Sequence, residues 1–254
     1  MTKVAAQLYT LREVMRTPEQ IEAGFARLAR DGWKAVQASG LGPIEPRRLR
    51  EIADKYSLEI CATHNSMERL SGDLDRLIRE HETLGCRYIG LGAMPGEYRK
   101  SREGFEAFAA VISPIAERIR EAGRVFVYHN HNFEFARFGA FTGMDILLER
   151  CSDAVQFEPD TYWVQAGGGD VAHWLGRLAG RIDVVHFKDM VYLPDEEQAG
   201  MAEVGEGNLH WPAIIAACAK GGVHWHVVEQ DVCRRDPFDS LKISLGNLKK
   251  LGLE

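Results

Sequence analysis

VFVYHNHNFEF, at residues 125–135, joins a run of strand-forming residues directly to a cluster of polar side chains. Val125, Phe126 and Val127 belong to the β-branched and aromatic types that are enriched in buried strands. Two histidines, two asparagines and one glutamate follow before residue 135. This stretch therefore predicts a strand whose carboxyl end brings proton carriers and metal ligands to one place.

Seven further runs in the chain have the same apolar or β-branched body. The eight predicted strands cover residues 4–9, 34–39, 58–64, 87–92, 125–131, 154–160, 183–189 and 224–231. Helical periodicity fills the gaps between them, as in the stripe formed by Ile21, Phe25 and Leu28. Gly32 follows this stripe and precedes a strand, where the C-terminal cap of a helix is expected. The repeated alternation predicts the α/β class and a single-domain parallel (β/α)8 TIM barrel over residues 1–254.

A doubly wound open sheet is the alternative architecture for such an alternation. It usually carries a glycine-rich loop after its first strand, where the phosphates of a dinucleotide bind. The loop after the first predicted strand here, YTLREVM at residues 9–15, contains no glycine. The barrel is therefore the preferred prediction.

Composition narrows the function classes. The chain has 254 residues, of which 45% are hydrophobic, and this is ordinary for a globular core. Its net charge of −6 gives no basic surface for nucleic acid. The start shows no signal peptide, and no window approaches the ~20 apolar residues of a membrane helix. Five scattered cysteines without CxxC spacing suit reduced thiols. We expect a cytoplasmic protein that binds neither nucleic acid nor membrane, with a homo-oligomer left open.

A barrel of this kind builds its site at the carboxyl ends of its strands. The polar residues of the predicted strands do lie there, whereas the amino ends are dominated by Val, Ala, Leu and Ile. The residues concerned are His64 on strand three, His129 and His131 on strand five, Asp160 on strand six, His186, Lys188 and Asp189 on strand seven, and Glu229 and Asp231 on strand eight. This distribution predicts a functional site at one mouth of the barrel.

Asp160, His186 and Glu229 follow three successive strands and form the core of a predicted metal site. Imidazole and carboxylate are ligands of divalent cations, and a set with few sulfurs disfavours a structural zinc. We expect one divalent ion, Mn²⁺ in the first place, with Mg²⁺, Co²⁺ and Zn²⁺ as alternatives. Strand five supplies the fourth ligand from Glu134 or His129. His129 shares the parity of the inward apolar residues, but we favour Glu134, since a third carboxylate suits a hard cation better.

Six motifs support a family resemblance over essentially the whole chain. They are QLYTLRE near the start, YHNHNFEF, DTYW followed by AGGGD, HFKD, GEGNLHW and VVEQD. Together they resemble the sugar phosphate isomerase/epimerase superfamily, also called the xylose isomerase-like or endonuclease IV-like TIM barrels. The resemblance implies one metal held by Glu, Asp, His and Glu at the ends of strands five to eight. In this chain these residues are Glu134 (or the position of His129), Asp160, His186 and Glu229.

Two departures from the superfamily pattern refine this expectation. The DNA-repair branch has His where this chain has Trp163, and indole cannot ligate zinc, so we do not expect a three-metal nuclease. In many epimerases of the superfamily, strand five ends in a glutamate in register with the barrel interior, where this chain has His129. YHNHNFEF and DTYWV are more similar to a branch that acts on oxidised sugars, including 3-keto-glycosides.

A metal site of this kind would acidify the C–H beside a sugar carbonyl and stabilise the resulting enediolate. For catalysis we expect proton carriers and metal-bound carboxylates, which are His129, His131, Glu134 and Glu229. For substrate contacts we expect residues that line the same mouth, which are His64, Tyr9, Trp163, Lys188 and Trp211. Lys188 would either polarise a carbonyl or pair with Asp189.

The leading functional prediction is a metal-dependent isomerase or epimerase, which returns the abstracted proton to carbon. Its expected substrate is a small unphosphorylated sugar or cyclitol. The alternative is β-elimination, as in an inosose dehydratase-like or keto-glycoside lyase activity. The alternative of another class is a non-catalytic sugar-binding subunit.

Overall fold

The computed structural model describes residues 3–253, so the predicted domain limits at residues 1 and 254 lie outside it. Its strands are β1 (Lys3–Gln7), β2 (Ala35–Ala38), β3 (Glu59–Asn65), β4 (Tyr88–Leu91), β5 (Val125–His129), β6 (Arg137–Phe138), β7 (Phe141–Thr142), β8 (Val155–Glu158), β9 (Val184–Phe187), β10 (Asp189–Leu193), β11 (Gln198–Ala202) and β12 (Trp225–Val228). Its helices are α1 (Pro18–Asp31), α2 (Pro46–Lys55), α3 (Met67–Gly72), α4 (Leu74–Leu84), α5 (Arg102–Glu121), α6 (Gly143–Arg150), α7 (Thr161–Ala166), α8 (Val171–Arg177), α9 (Trp211–Gly221) and α10 (Pro237–Lys250). Short 3₁₀ turns lie at Leu8–Leu11, Gly96–Tyr98 and Phe133–Phe135.

Eight of these strands form one parallel sheet in the order β8-β5-β4-β3-β2-β1-β12-β9. Two parallel bridges, Phe157 to Ile182 and Asp160 to His186, join the two ends of this sheet. The sheet is therefore a nearly closed barrel surrounded by helices, which confirms the predicted (β/α)8 fold. All eight predicted strands are present. His64, His129 and His186 lie inside β3, β5 and β9, whereas β8 and β12 end before Asp160 and Glu229.

The helix boundaries follow from local chemistry. Thr17 caps the start of α1 by accepting a hydrogen bond from the backbone N–H of Gln20, whose side chain bonds back to the cap. Gly32 ends this helix with a φ of 102°, a left-handed conformation that only glycine adopts at little cost. The predicted apolar stripe of Ile21, Phe25 and Leu28 is buried on the inner side of α1.

Side chains alternate along each barrel strand between a core inside the barrel and a core between the strands and the helices. Phe126 and Tyr128 belong to the large core between strands and helices, whereas Val127 lies in the small core inside the barrel. Ala35, Ala62, Val184 and Val227 are in the same inner core as Val127. Because side chains alternate along a strand, the residues two positions further on also face the barrel axis. Those residues are Gln37, His64, His186, Glu229 and His129.

Two antiparallel hairpins interrupt the repeated pattern. β6 pairs with β7, and β10 pairs with β11 directly after the seventh barrel strand. The second hairpin stands beside the carboxyl mouth of the barrel, where several of its residues line a cavity. Across residues 3–253, every helix is too short or too polar to cross a membrane.

Candidate active site and metal centre

Four side chains converge at the carboxyl mouth of the barrel. They are His129, Asp160, His186 and Glu229, each of which offers a ligand atom within 4.8 Å of the other three. His186 Nδ1 lies 2.8 Å from Glu229 Oε2, and His129 Nε2 lies 3.1 Å from Asp160 Oδ2. All four side chains are buried. This cluster is the candidate metal centre.

The backbone around Asp160 explains how its carboxylate reaches the cluster. Asp160 caps α7, and its Oδ1 accepts a hydrogen bond from the backbone N–H of Trp163. Its own backbone N–H donates to Asn130 Oδ1 at 3.1 Å. The other carboxylate oxygen, Oδ2, is left to face His129 and His186. One side chain thus starts a helix and contributes to the cluster.

Glu134 lies outside this cluster, contrary to its predicted place as the strand-five ligand. Its carboxylate accepts hydrogen bonds from the Tyr128 hydroxyl at 2.5 Å and from the backbone N–H of His131 at 2.9 Å. Tyr128 faces the helix layer, so Glu134 is held on the outer side of the strand. Burial raises the pKa of Glu134 to about 7. The strand-five position in the cluster belongs to His129.

The two imidazoles of the cluster present suitable atoms to a cation. His129 Nδ1 lies 3.0 Å from the carbonyl oxygen of Gly92, which can only accept, so this nitrogen carries the proton. Nε2 of the same ring then faces Asp160 with its lone pair. Two imidazoles with two carboxylates form a donor set that suits Mn²⁺, Co²⁺ or Zn²⁺ better than Mg²⁺. The residues present therefore fit a divalent cation.

Lys188 brings a positive charge into direct contact with this donor set. Its ammonium lies 2.8 Å from Glu229 Oε2, 3.1 Å from Asp160 Oδ2 and 2.8 Å from Asp231 Oδ2. Burial alone would lower the pKa of Lys188, but these carboxylates raise it above its usual value. The ammonium is therefore charged at neutral pH.

Asp189 is not the partner of Lys188, which corrects one of the two roles expected for the lysine. The Asp189 carboxylate instead accepts hydrogen bonds from the backbone N–H groups of Gly205, Gly207 and Leu209. It also accepts from Trp211 Nε1 at 2.6 Å. Asp189 therefore organises the loop that follows β11.

Glu158 and Gln37 form a second buried polar group that the sequence interpretation missed. Glu158 Oε2 accepts from His64 Nε2 at 2.5 Å, and Glu158 Oε1 accepts from Gln37 Nε2 at 2.8 Å. Gln37 Oε1 lies 2.7 Å from His186 Nε2, the ring nitrogen turned away from the cluster. Burial alone would raise the pKa of Glu158, but His186 and His64 hold it below its usual range. The signal available in the sequence was parity, since Gln37 follows the inward Ala35 and Glu158 precedes Asp160 by two residues.

A cavity of about 680 Å³ opens above the cluster. Four of the five predicted substrate-binding residues line it, which are Tyr9, His64, Trp163 and Lys188. His129, His131 and Glu229 also line the cavity, and the β10–β11 hairpin contributes Met201 and its neighbours. This volume lies within the range of about 300–1,000 Å³ that is typical of small-molecule sites.

Trp211 does not reach the cavity, contrary to the prediction. It is buried, its ring packs against Phe187 at a centroid distance of 4.9 Å, and its Nε1 donates to Asp189. Trp211 begins α9, so its side chain supports the loop from inside the helix layer.

A (β/α)8 barrel with buried imidazoles and carboxylates at its carboxyl mouth defines a class of proteins whose site is suited to one divalent cation and a small polar molecule. Residues 22–251 match the family model described as "Xylose isomerase-like TIM barrel". The chain belongs to this family.

Individual relatives are distant in sequence but similar over most of their length. The rhizopine catabolism protein MocC of Rhizobium meliloti is 24% identical over 266 residues, which cover 91% of this chain and 81% of the relative. A sugar phosphate isomerase/epimerase from Parabacteroides distasonis has a TM-score of 0.81 at 20% identity, covering 98% of each chain. The probable 3-DHS dehydratase AsbF from Bacillus anthracis has a TM-score of 0.75 at 15% identity, covering 98% of this chain and 99% of that one. At these identities the structural matches establish the fold.

Proposed function

We propose that this protein is a metal-dependent sugar isomerase or epimerase that abstracts a proton next to a carbonyl, with an oxidised (keto) sugar or glycoside as substrate. The observation that carries the proposal is the convergence of His129, Asp160, His186 and Glu229 within 4.8 Å beneath a cavity of sugar-sized volume. The similarity to a sugar phosphate isomerase/epimerase supports the same reaction class.

His129, Asp160, His186 and Glu229 would hold the cation, with Mn²⁺ as the first candidate. A cation in this place supplies polarisation of the substrate carbonyl and acidifies the neighbouring C–H. Lys188 lies beside Glu229 and lines the cavity, so its ammonium would bind a substrate oxygen that gains negative charge. Tyr9 and Trp163 would bind the apolar faces of the sugar ring.

Two imidazoles outside the ligand set flank His129 and would move the proton. The His129 ring centroid lies 5.2 Å from that of His64 and 5.0 Å from that of His131. Within residues 3–253, His131 Nδ1 is buried without a hydrogen-bond partner, although the ring lines the cavity. A substrate hydroxyl or a migrating proton would satisfy this nitrogen. Glu134 would act indirectly, since it holds the backbone N–H of His131.

β-Elimination on an oxidised sugar or cyclitol is the second candidate. The similarity to a probable dehydratase and to a rhizopine catabolism protein favours it. The site could also supply the acid that such a reaction needs, because the Lys188 ammonium and the His64 imidazole both line the cavity. Either group could protonate an oxygen that leaves from the carbon next to the enediolate.

The experiment that tests the proposal is solvent isotope exchange. The protein is stripped with a chelator, reloaded with Mn²⁺, and incubated in D₂O with keto-sugars, aldoses and ketoses, while NMR follows deuterium at carbon. We expect metal-dependent deuterium uptake at the carbon next to the carbonyl. Loss of water or of an aglycone, seen by mass spectrometry, would identify the elimination instead. A protein that binds no divalent cation and exchanges no proton with any of these sugars would contradict the proposal and favour the non-catalytic sugar-binding subunit.

A further inference from the structure

We infer that Glu158 and Gln37 are positioning residues that fix the tautomer of His186, so that Nδ1 is the nitrogen presented to the cation. This inference rests on the metal centre of the proposed function and adds two residues outside the ligand set. Neither side chain belongs to the four-residue cluster, and Gln37 has no titratable group.

The Glu158 carboxylate determines which partner donates and which accepts in the neighbouring hydrogen bonds. Three nitrogen atoms surround its two oxygens, with His64 Nε2 at 2.5 Å, Gln37 Nε2 at 2.8 Å and His186 Nε2 at 3.2 Å. A carboxylate in this setting only accepts hydrogen bonds. The amide of Gln37 must therefore turn its NH₂ group toward Glu158.

The orientation of Gln37 determines the proton on His186. With its NH₂ group on Glu158, Gln37 presents its carbonyl oxygen to His186 Nε2 at 2.7 Å. A carbonyl oxygen only accepts, so Nε2 must carry a proton. In the neutral ring Nδ1 then carries the lone pair, and it faces Glu229 Oε2 at 2.8 Å and Asp160 Oδ2 at 3.8 Å. The chain of bonds therefore directs the ligating atom into the cluster.

Burial strongly favours this orientation of the Gln37 amide. Gln37, Glu158 and His186 each have 0% of their surface exposed, so water does not compete for these bonds. A flipped Gln37 amide would point NH₂ at one donor and oxygen at a carboxylate, leaving both partners unsatisfied. Metal-bound histidines generally depend on such a partner at their other ring nitrogen. The carboxylate here acts on His186 through an intervening amide as well as directly.

Glu158 also connects the imidazole ring of His186 to the cavity. Its second oxygen holds His64, which lines the cavity, and the ring of His64 stacks on that of His186 at a centroid distance of 5.3 Å. Removal of the carboxylate therefore loosens one ring that would bind metal and one that would contact substrate.

The test compares Mn²⁺ binding to metal-stripped full-length variants by calorimetric titration. Glu158→Gln can donate as well as accept, so it allows Gln37 to flip, and we expect Mn²⁺ affinity to fall about 10–100-fold. Gln37→Met removes the amide but leaves Glu158 beside His186, so a smaller fall is expected. Glu203→Gln is the matched control, since Glu203 is also a buried carboxylate but bonds Ser240 at 2.7 Å, away from the cluster. Its affinity should equal that of the wild type.

NMR of the ¹⁵N-labelled, zinc-loaded protein gives a readout that a merely structural role would not produce. We expect His186 to show a protonated Nε2 and a metal-bound Nδ1. Ligation through Nε2, or wild-type affinity in both Glu158→Gln and Gln37→Met, would overturn the inference. If Glu158→Gln does not fold, Gln37→Met and the NMR assignment still decide it. A wild-type protein that binds no cation would instead contradict the proposed metal centre itself.

Discussion

His129 and Glu134 show how one strand separates two roles at the scale of single residues. A preference for carboxylates around a hard cation favoured Glu134 as the ligand, but parity along β5 places His129 with the inward Val127. Glu134 lies in the short 3₁₀ turn Phe133–Phe135 and accepts a hydrogen bond from the hydroxyl of the outward Tyr128. The direction in which each side chain leaves the backbone therefore outweighs its chemical suitability.

Substitution of these two residues separates their roles. We expect His129→Ala to lose most of its bound metal, because one of four donors disappears. Glu134→Gln should retain the metal, since its carboxylate lies outside the cluster. Metal content is measured by mass spectrometry of dialysed protein, with circular dichroism as the control for folding. Full occupancy in His129→Ala together with an empty Glu134→Gln would restore Glu134 as the ligand.

The ammonium of Lys188 contacts the same carboxylate oxygens that would bind the candidate cation. It contacts Glu229 at 2.8 Å and Asp160 at 3.1 Å, so the two positive charges would repel each other at short range. Asp231 provides a third carboxylate at 2.8 Å to which the ammonium could turn. Under the proposed function, Lys188 would therefore oppose tight metal binding while it contacts the substrate.

Lys188→Met should bind Mn²⁺ more tightly than the wild type. Removal of one like charge at this distance should raise the affinity by roughly tenfold, as neighbouring charges shift ionic equilibria by about 1–3 log units. Isotope exchange with substrate should fall, because the ammonium no longer stabilises an oxygen anion. Lys220→Met, on the exposed side of α9, is the matched control. Unchanged or weaker Mn²⁺ binding in Lys188→Met would show that the ammonium does not compete.

At the scale of elements, Asp189 connects the β10–β11 hairpin to the loop before α9. Its carboxylate accepts from the backbone N–H groups of Gly205, Gly207 and Leu209, from that of Met190, and from Trp211 Nε1. The HFKD and GEGNLHW motifs thus meet in one hydrogen-bonded unit. Because the hairpin lines the cavity, this unit shapes one wall of the candidate site.

Asp189→Asn should loosen this wall and leave the barrel intact. The side-chain amide of asparagine places an NH₂ group against N–H donors that had bonded to a carboxylate. We therefore expect the free energy of local opening of residues 189–211 to fall by roughly 2–5 kcal/mol. Hydrogen exchange should quicken in residues 189–211 and stay unchanged in α1. Asp195→Asn, at the exposed tip of the hairpin, is the control. Wild-type exchange rates in residues 189–211 of Asp189→Asn would contradict the role given to this carboxylate.

At the scale of the whole molecule, the candidate metal centre joins distant parts of the chain. Its four residues span positions 129 to 229 and lie at the ends of four different barrel strands. The bridge between Asp160 and His186 also lies where the two ends of the sheet meet. A cation bound there would link the closing strands of the barrel.

Bound metal should therefore raise the melting temperature of the whole protein. Free cation at 100 times its Kd adds about 2.7 kcal/mol of stability by mass action. For a chain of this size that corresponds to a shift of roughly 5–10 °C. Calorimetry with Mn²⁺ and with a chelator measures this shift, and His186→Ala should not show it. Identical melting of the wild type in both conditions would argue against a metal centre.

The sequence by itself determined the fold, and it predicted three of the four side chains that converge in the candidate metal centre. Short apolar runs and helical stripes are local patterns, so eight strands, eight strand ends and the trio of Asp160, His186 and Glu229 could be predicted from it. The parity of β5 also places His129 on the same inward face as Val127, which is how this side chain reaches the cluster.

The tertiary structure alone decided which polar groups touch. The partner of Lys188, the burial of Trp211 and the link from Glu158 through Gln37 to His186 all join residues from different strands or loops. These distances depend on how the barrel closes and on the backbone path after each strand, which no local pattern encodes. Residues 37 and 186 lie 149 positions apart in the chain, and only the closed barrel brings their side chains to 2.7 Å.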